Sequence, residues 1–135
     1  MSSATPTPAL PVSSRCPCLS GETYGECCGR FHAGRASAPT AEALMRSRYS
    51  AFATGNVPYL LATWHPDHRP ADLELDPDLE WRRLDILATT GGGPLDSTGT
   101  VEFRAHYRQD GIRGTQQELS SFVREHGKWL YVDGR

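Results

Sequence analysis

The apolar positions of this chain change period once, near Pro70, and the change predicts its architecture. From Thr40 onward, Leu44, Met45, Tyr49, Phe52 and Ala53 recur at the spacing of one helix face. Thr40 has the short hydroxyl side chain of an N-cap. Glu42 sits in the first turn, where a negative charge suits the helix dipole, and Gly55 stops the helix. Asn56 and Pro58 start a second helix with Tyr59, Leu60, Leu61 and Trp64 on its apolar side, and His65–Pro66 ends it. Residues 71–80 are acidic and broken by Pro, and read as loop. Beyond them the period falls to two. Leu84, Ile86 and Ala88 alternate in a first strand. Val101, Phe103, Ala105 and Tyr107 alternate with Glu102, Arg104, His106 and Arg108 in a second. TQQELSSFVREHG and KWLYVDG supply two more, with turns at GGGPLDSTG and at Gly111 to Gly114. Helices followed by strands with short turns predict an α+β domain, its helices laid on one face of an antiparallel sheet.

Composition adds the frame. The chain has 135 residues, 38% of them hydrophobic and 22% charged, which fits a globular protein with a core of its own. Residues 1–14 are mostly Ser, Thr, Ala and Pro without periodicity and are expected to be a disordered tail. The expected division is this tail, a cysteine-rich knuckle with its spacer over 15–37, and the α+β domain over 38–135. A net charge of −2 gives no global attraction for nucleic acid or an anionic membrane, although a local basic patch around Arg82–Arg83 or Arg46/Arg48 remains open. No stretch approaches the roughly 20 apolar residues of a membrane span. Pro6, Pro8 and Pro11 break what would be the apolar run of a signal peptide. A cytoplasmic protein with reduced thiols is the expectation.

All four cysteines lie in CPCLSGETYGECCG, Cys16 to Gly29. A bond between the neighbours Cys27 and Cys28 requires a strained ring, and C-x-C is nearly as cramped. Pairing across the loop is sterically open, but a reducing compartment opposes it. Zinc suits the spacing better: Cys16, Cys18, Cys27 and Cys28 can close a tetrahedron with bonds of about 2.3 Å, a structural site with no open position. Gly21 and Gly25 serve the tight turns and Tyr24 a small apolar lid. A knuckle of this size has almost no core, so metal would supply most of its folding free energy. His32, four residues past Cys28, is a candidate substitute for the fourth ligand.

The same residues carry a resemblance. C-P-C-x-S-G-x-x-Y-x-x-C-C-G resembles the SEC-C motif, a zinc knuckle of the bacterial preprotein translocase motor ATPase, where it contacts a chaperone. Leu19 stands where that motif usually has glycine. Glu22 replaces a common lysine, so docking through a basic surface does not carry over. LMRSRYSAF, TWHP, GTVEF, SFVRE and KWLYVDG extend the likeness: from Cys16 to Gly134 the chain resembles the YchJ-like family of uncharacterised bacterial proteins. That resemblance implies a nuclear transport factor two-like fold, a curved sheet wrapped around helices to form a cone. It implies zinc but no established activity.

A cone of this kind often encloses an apolar cavity with polar groups at its mouth. The candidate cavity residues are Arg46, Tyr49, Trp64, His65, Glu102, Glu118, Trp129, Tyr131 and Asp133. Arg46 and Arg48 point about 160° apart on a helix, so at most one faces inward, either to pair with Glu102 or Glu118 or to bind an anion. His65 is either a general base or a helix-end residue fixed by Pro66. Trp129, Tyr131 and Asp133 share a strand face if the alternation is unbroken. No dinucleotide or P-loop glycine pattern and no nucleophile elbow is present. The leading expectation is a non-enzymatic interaction or adaptor module. Its knuckle is a recognition surface for an unidentified protein partner, and its cone is able to take a small ligand. The alternative is a small lyase, isomerase or hydrolase using His65, Glu102 or Asp133 as base. Nucleic acid is disfavoured by the net charge and by Glu22.

Overall fold

A computed structural model describes residues 10–135. A 3-10 turn (Tyr24–Glu26) and a short helix α1 (Cys28–His32) precede the two predicted helices, α2 (Ala41–Thr54) and α3 (Val57–Ala62). Four strands follow: β1 (Leu79–Gly91), β2 (Thr98–Gln109), β3 (Ile112–Glu125) and β4 (Lys128–Gly134). They form one antiparallel meander in the order β1-β2-β3-β4, and α2 crosses its inner face.

The caps of α2 are those the sequence predicts. Thr40 Oγ1 accepts the Ala43 N–H at 3.0 Å, and Gly55 takes the left-handed conformation at φ 74°. α3 begins with the Asn56 side chain accepting the Tyr59 N–H, but it ends at Ala62, short of His65. The cause is a competing ladder. Thr63 O accepts the Tyr131 N–H, and Tyr131 O accepts the His65 N–H, both at 2.8 Å, so Trp64 lies in a parallel bridge beside β4. Two hairpins turn on Asp110–Gly111 and His126–Gly127. All four of these residues have positive φ, the pairing that matches the right-handed twist of the strands. The β2–β3 turn is therefore shorter than the expected Gly111 to Gly114. Gly114 lies inside β3 opposite Tyr107, whose ring fills the space of a Cβ.

A register shift corrects a second expectation. Tyr131 stands opposite Phe122, but Asp133 stands opposite Ser121, so Val132 is the extra residue of a bulge. Asp133 is thereby turned to the outer face, away from Trp129 and Tyr131.

The knuckle and the sheet domain share one core. Cys16, Cys18, Tyr24, Cys28 and Phe31 belong to the same apolar cluster as Leu44, Met45, Tyr49, Val101, Phe103 and Phe122. The boundary expected at residue 38 divides the sequence but not the packing. Residues 1–9 of the expected tail lie outside the described residues. Residues 10–14, assigned to the same tail, are built into the knuckle: Leu10 packs on the core cluster, Val12 O accepts the Gly25 N–H at 3.0 Å, and Ser14 O accepts the Tyr24 N–H at 2.7 Å.

The β1–β2 loop presses on the start of α2. Gly92 O accepts the Ala41 N–H at 2.9 Å, and a Cβ on Gly99 would lie 2.5 Å from Gly92 Cα. Backbone meets backbone there, so no side chain can yield. Gly99→Ala is expected to lower unfolding free energy by about 2 kcal/mol in urea denaturation. A loss under about 0.5 kcal/mol would show that this contact is loose.

Candidate functional site

The knuckle is assembled by backbone bonds. Arg15 and Thr23 form an antiparallel bridge, Glu22 O accepts the Cys16 N–H at 3.1 Å, and Tyr24 O accepts the Cys27 N–H at 3.1 Å. These bonds bring C-x-C against C-C, and the four Sγ atoms all lie within 4.8 Å of one another. All four cysteines are free thiols, with Cys18 Sγ 3.6 Å from Cys27 Sγ and Cys27 Sγ 3.9 Å from Cys28 Sγ. A tetrahedron with metal–sulfur bonds of about 2.3 Å has edges of about 3.8 Å, so the cluster is of a size that could hold a metal ion. Cys16, Cys18 and Cys28 are buried and Cys27 is half-buried. Hydrogen bonding from Cys18 and Cys28 pulls the Cys16 thiol down. The same bonds to Cys16 push the Cys18 thiol up to about 11 and raise Cys28, with burial adding to both. A bound cation favours the thiolate form of a cysteine ligand.

The shell around the sulfurs comes from the loop and from α2. Ser20 Oγ is 3.2 Å from Cys27 Sγ, and Ser50 Oγ is 3.6 Å from Cys16 Sγ. Arg46 pairs with Glu42 at 3.0 Å and reaches Cys18 O at 3.4 Å. His32 is not a ligand. Its Nε2 lies 2.8 Å from the Ser47 carbonyl, which can only accept, so Nε2 carries the proton, and Nδ1 accepts the Tyr24 hydroxyl at 2.6 Å. Burial lowers its pKa and keeps the ring neutral. Both nitrogens are spent on tying α1 and the 3-10 turn to α2.

Behind α2 lies a cavity of about 160 Å³ between the helix and the inner face of the sheet, partly open to solvent. Met45, Phe52, Trp81 and Phe103 give it apolar walls, and Arg48, Tyr49, Trp64, Gln116, Glu118, Ser120 and Tyr131 its polar side chains. Arg48 is only 3% exposed. Its Nη1 donates to Leu60 O at 2.8 Å and to Thr63 Oγ1 at 2.7 Å. Its Cζ lies 4.5 Å from the centre of the Tyr131 ring and 5.1 Å from that of Trp64. Burial lowers its pKa to about 10, which leaves it charged at neutral pH. Among the described residues no ion pair includes Arg48. Glu118 Oε2 instead accepts the Ser120 hydroxyl at 2.7 Å and the Tyr131 hydroxyl at 3.4 Å. Desolvation, and then the Glu118 charge, push the Tyr131 hydroxyl up to about 12. The Tyr49 hydroxyl and the Trp64 indole N–H are buried with no protein partner.

Of the candidate cavity residues, the structure brings together Tyr49, Trp64, Glu118 and Tyr131. The inward arginine is Arg48, not Arg46. Spacing carried that signal: Arg48 lies four from Leu44 and four from Phe52 on the apolar stripe, whereas Arg46 follows Glu42 by the four residues of a surface ion pair. Glu102 stands on the outer face and accepts from Gln117 at 3.0 Å. His65 is outside the cavity, its Nε2 3.1 Å from Glu125. Trp129 is buried elsewhere, donating to Pro39 O at 3.2 Å, and Asp133 is exposed. On the outer face Asp85 takes Arg83 at 2.8 Å and His106 at 2.9 Å. These two partners, His106 foremost, lower the Asp85 pKa. Arg82, Arg83, Arg108 and Arg113 line a shallow groove there, a local basic patch that the net charge conceals.

A four-thiol knuckle docked on the first long helix of a cone defines a SEC-C segment joined to a nuclear transport factor two-like domain. A family profile described as YchJ, middle NTF2-like domain, matches residues 40–134, and the SEC-C motif matches residues 13–30. The chain belongs to the YchJ-like family, whose curated relatives are uncharacterised UPF0225 proteins. It is 58% identical to a UPF0225 protein of Corynebacterium glutamicum over 124 residues, 91% of this chain and 98% of that one. To one of Streptomyces coelicolor it is 56% identical over 88% of this chain and 93% of that one. The solution structure of a SEC-C motif-containing protein from Rhodopseudomonas palustris superposes with a TM-score of 0.78 at 35% identity, covering 89% of this chain and 96% of that chain. The crystal structure of another, from Psychrobacter arcticus, gives 0.73 at 28% identity over 90% and 82%.

The departure of Leu19 from the motif now has a structural meaning. Leu19 holds φ 61°, the left-handed conformation that glycine adopts freely, and its side chain is 47% exposed. Leu19→Gly is expected to raise unfolding free energy by about 0.5–1 kcal/mol, the relieved strain exceeding the added chain entropy. A lower thermal midpoint would show that the Leu19 side chain makes a contact worth more than its strain.

Proposed function

We propose that the protein is a non-enzymatic binding protein in which a structural zinc ion fastens the knuckle to α2 and the cone cavity holds a small molecule. Four sulfur donors at tetrahedral spacing favour zinc over harder cations, and a complete donor set leaves no position for a reacting water. Reduced thiols suit a cytoplasmic location. The observation that carries the ligand reading is a cavity of about 160 Å³ with apolar walls and one arginine, Arg48, which is 3% exposed and has no carboxylate within ion-pair distance among the described residues. Buried charges are usually paired. Binding rather than turnover is favoured because, among the described residues, no histidine lines the cavity, and Glu118 Oε2 already accepts from Ser120 and Tyr131.

A second reading, an adaptor docking a protein partner through the knuckle, draws on Val12 and Leu19, which are 67% and 47% exposed beside the cysteine loop. The alternative of a lyase, isomerase or hydrolase would fall to Glu118 as base, because the structure takes His65, Glu102 and Asp133 out of the cavity.

One sample tests the proposal. Elemental analysis of untagged protein is expected to give one zinc per chain. Fragments of up to about ten non-hydrogen atoms are expected to shift the Trp64 and Trp81 indole resonances saturably in nitrogen–proton correlation spectra. A folded, metal-loaded protein whose indole resonances no fragment moves would overturn the ligand reading and leave the adaptor reading in its place.

A further inference from the structure

We infer that the groove on the outer face of the sheet is a site for a compact polyphosphate anion, bound by Arg82, Arg83, Arg108 and Arg113. The site is separate from the cone and does not depend on how the cone is used.

A break in the strand alternation builds the groove. Consecutive residues of a regular strand point to opposite faces. Here Trp81 stands opposite Tyr107 and Arg83 opposite His106, so Arg82 is the extra residue of a bulge in β1. Trp81 lines the cavity behind α2, whereas Arg82 and Arg83 both line the outer groove, of about 580 Å³. Arg108 and Arg113 line it from β2 and β3, where they stand directly opposite each other in the register. Like charges so placed repel, and an anion between them removes that cost. The Thr115 hydroxyl, opposite His106, adds a neutral donor to the wall.

The charge balance sets the ligand. No carboxylate lines the groove among the described residues. Asp85, on the adjoining row, has both oxygens engaged: Oδ1 by Arg83 Nε at 2.8 Å and Oδ2 by His106 Nε2 at 2.9 Å. It offsets and orients Arg83, and leaves Nη1 and Nη2 of that guanidinium without an acceptor among the described residues. Glu80 shares a row with Arg108 but makes no ion pair with it. Arg82, Arg108 and Arg113 are thus three cations outside any ion pair among the described residues. One phosphate group carries about −1.5 to −2 at pH 7, and a second joined to it supplies the remainder. Guanidinium forks take phosphate oxygens two at a time.

The surroundings limit the length of the ligand. At the hairpin end lie Glu80 and the acidic segment before β1, whose Asp76 accepts from the Gln109 amide at 2.6 Å. In the other direction the row beyond Asp85 carries Glu102. A polymer leaving the groove either way meets carboxylates, and a net charge of −2 gives it no wider field to follow. A pyrophosphate-sized anion ends where the arginines end.

Pyrophosphate is the probe, titrated by calorimetry into the purified chain at low ionic strength. Inorganic phosphate, a short single-stranded RNA and an oligoglutamate peptide are the comparisons. Pyrophosphate is expected to bind once per chain at about 0.1 mM or tighter, and about tenfold more tightly than phosphate. Added salt should weaken it. Arg82→Gln, Arg108→Gln and Arg113→Gln should each weaken it about fivefold or more. Arg82 and Arg113 are exposed, so at least those two variants keep the fold. Arg135→Gln removes the same charge from the exposed chain end and should change binding less than about twofold. Equal losses in all four variants would reduce the effect to net charge and overturn the site. Phosphate matching pyrophosphate, or no saturable binding by either, would overturn it as well. RNA or oligoglutamate binding more tightly than pyrophosphate, with losses in the groove variants, would overturn the compact ligand and make the face a nucleic-acid or protein contact.

Discussion

The docking of α2 between a cluster of thiols and an aromatic sheet is the constraint on which the rest of this structure depends. The helix is buried on most of its circumference, with Ala41, Leu44, Met45, Ser47, Arg48, Tyr49, Ser50 and Ala51 all out of solvent. One side carries small polar residues that let the knuckle approach: Ser50 meets Cys16 Sγ, and the Ser47 carbonyl takes the His32 proton. The other carries Met45, Arg48, Tyr49 and Phe52, which roof the cavity. A helix buried on both sides cannot tilt toward one neighbour without leaving the other. The cysteine cluster is therefore coupled to the cone through the position of a single helix.

Arg48 shows what that position achieves. Its guanidinium joins three elements: α2, the carbonyl end of α3, and the Tyr131 ring of β4. The bridge between Trp64 and Tyr131 closes the same corner from the backbone side. A charge so placed is costly as a purely structural device, since an apolar residue would hold the corner at less expense in desolvation. Set among apolar walls, that charge gives the cavity chemistry and not only volume.

Much of this was legible in the sequence, for local reasons. Thr40, Gly55 and Asn56 act within a turn of themselves, so the limits of α2 and the start of α3 could be read directly. The strand alternation of residues 101–108 likewise needs only the pleat. What escaped depends on partners far along the chain. The bulge at Val132 that turns Asp133 outward is set by the pairing of β4 with β3, and the early end of α3 by the pull of Tyr131. Residues 10–14 have no periodicity to reveal, because their order comes from bonds to Tyr24 and Gly25. Two of the differences do have a local signal in the sequence. The four-residue step from Glu42 marked Arg46 as an outward residue, and Asp110–Gly111 is itself a two-residue hairpin signature. The cysteine spacing carried the chelating set but could not show that the knuckle shares its core with the domain.

Amide hydrogen exchange across α2, with and without metal, tests most directly whether the knuckle fastens the helix that roofs the cone. After chelation, residues 41–54 should lose protection together with residues 13–32, by about tenfold or more, while β2 and β3 keep most of theirs. Loss confined to residues 13–32, with α2 as protected as before, would make the knuckle a separate appendage and contradict its role as a fastener.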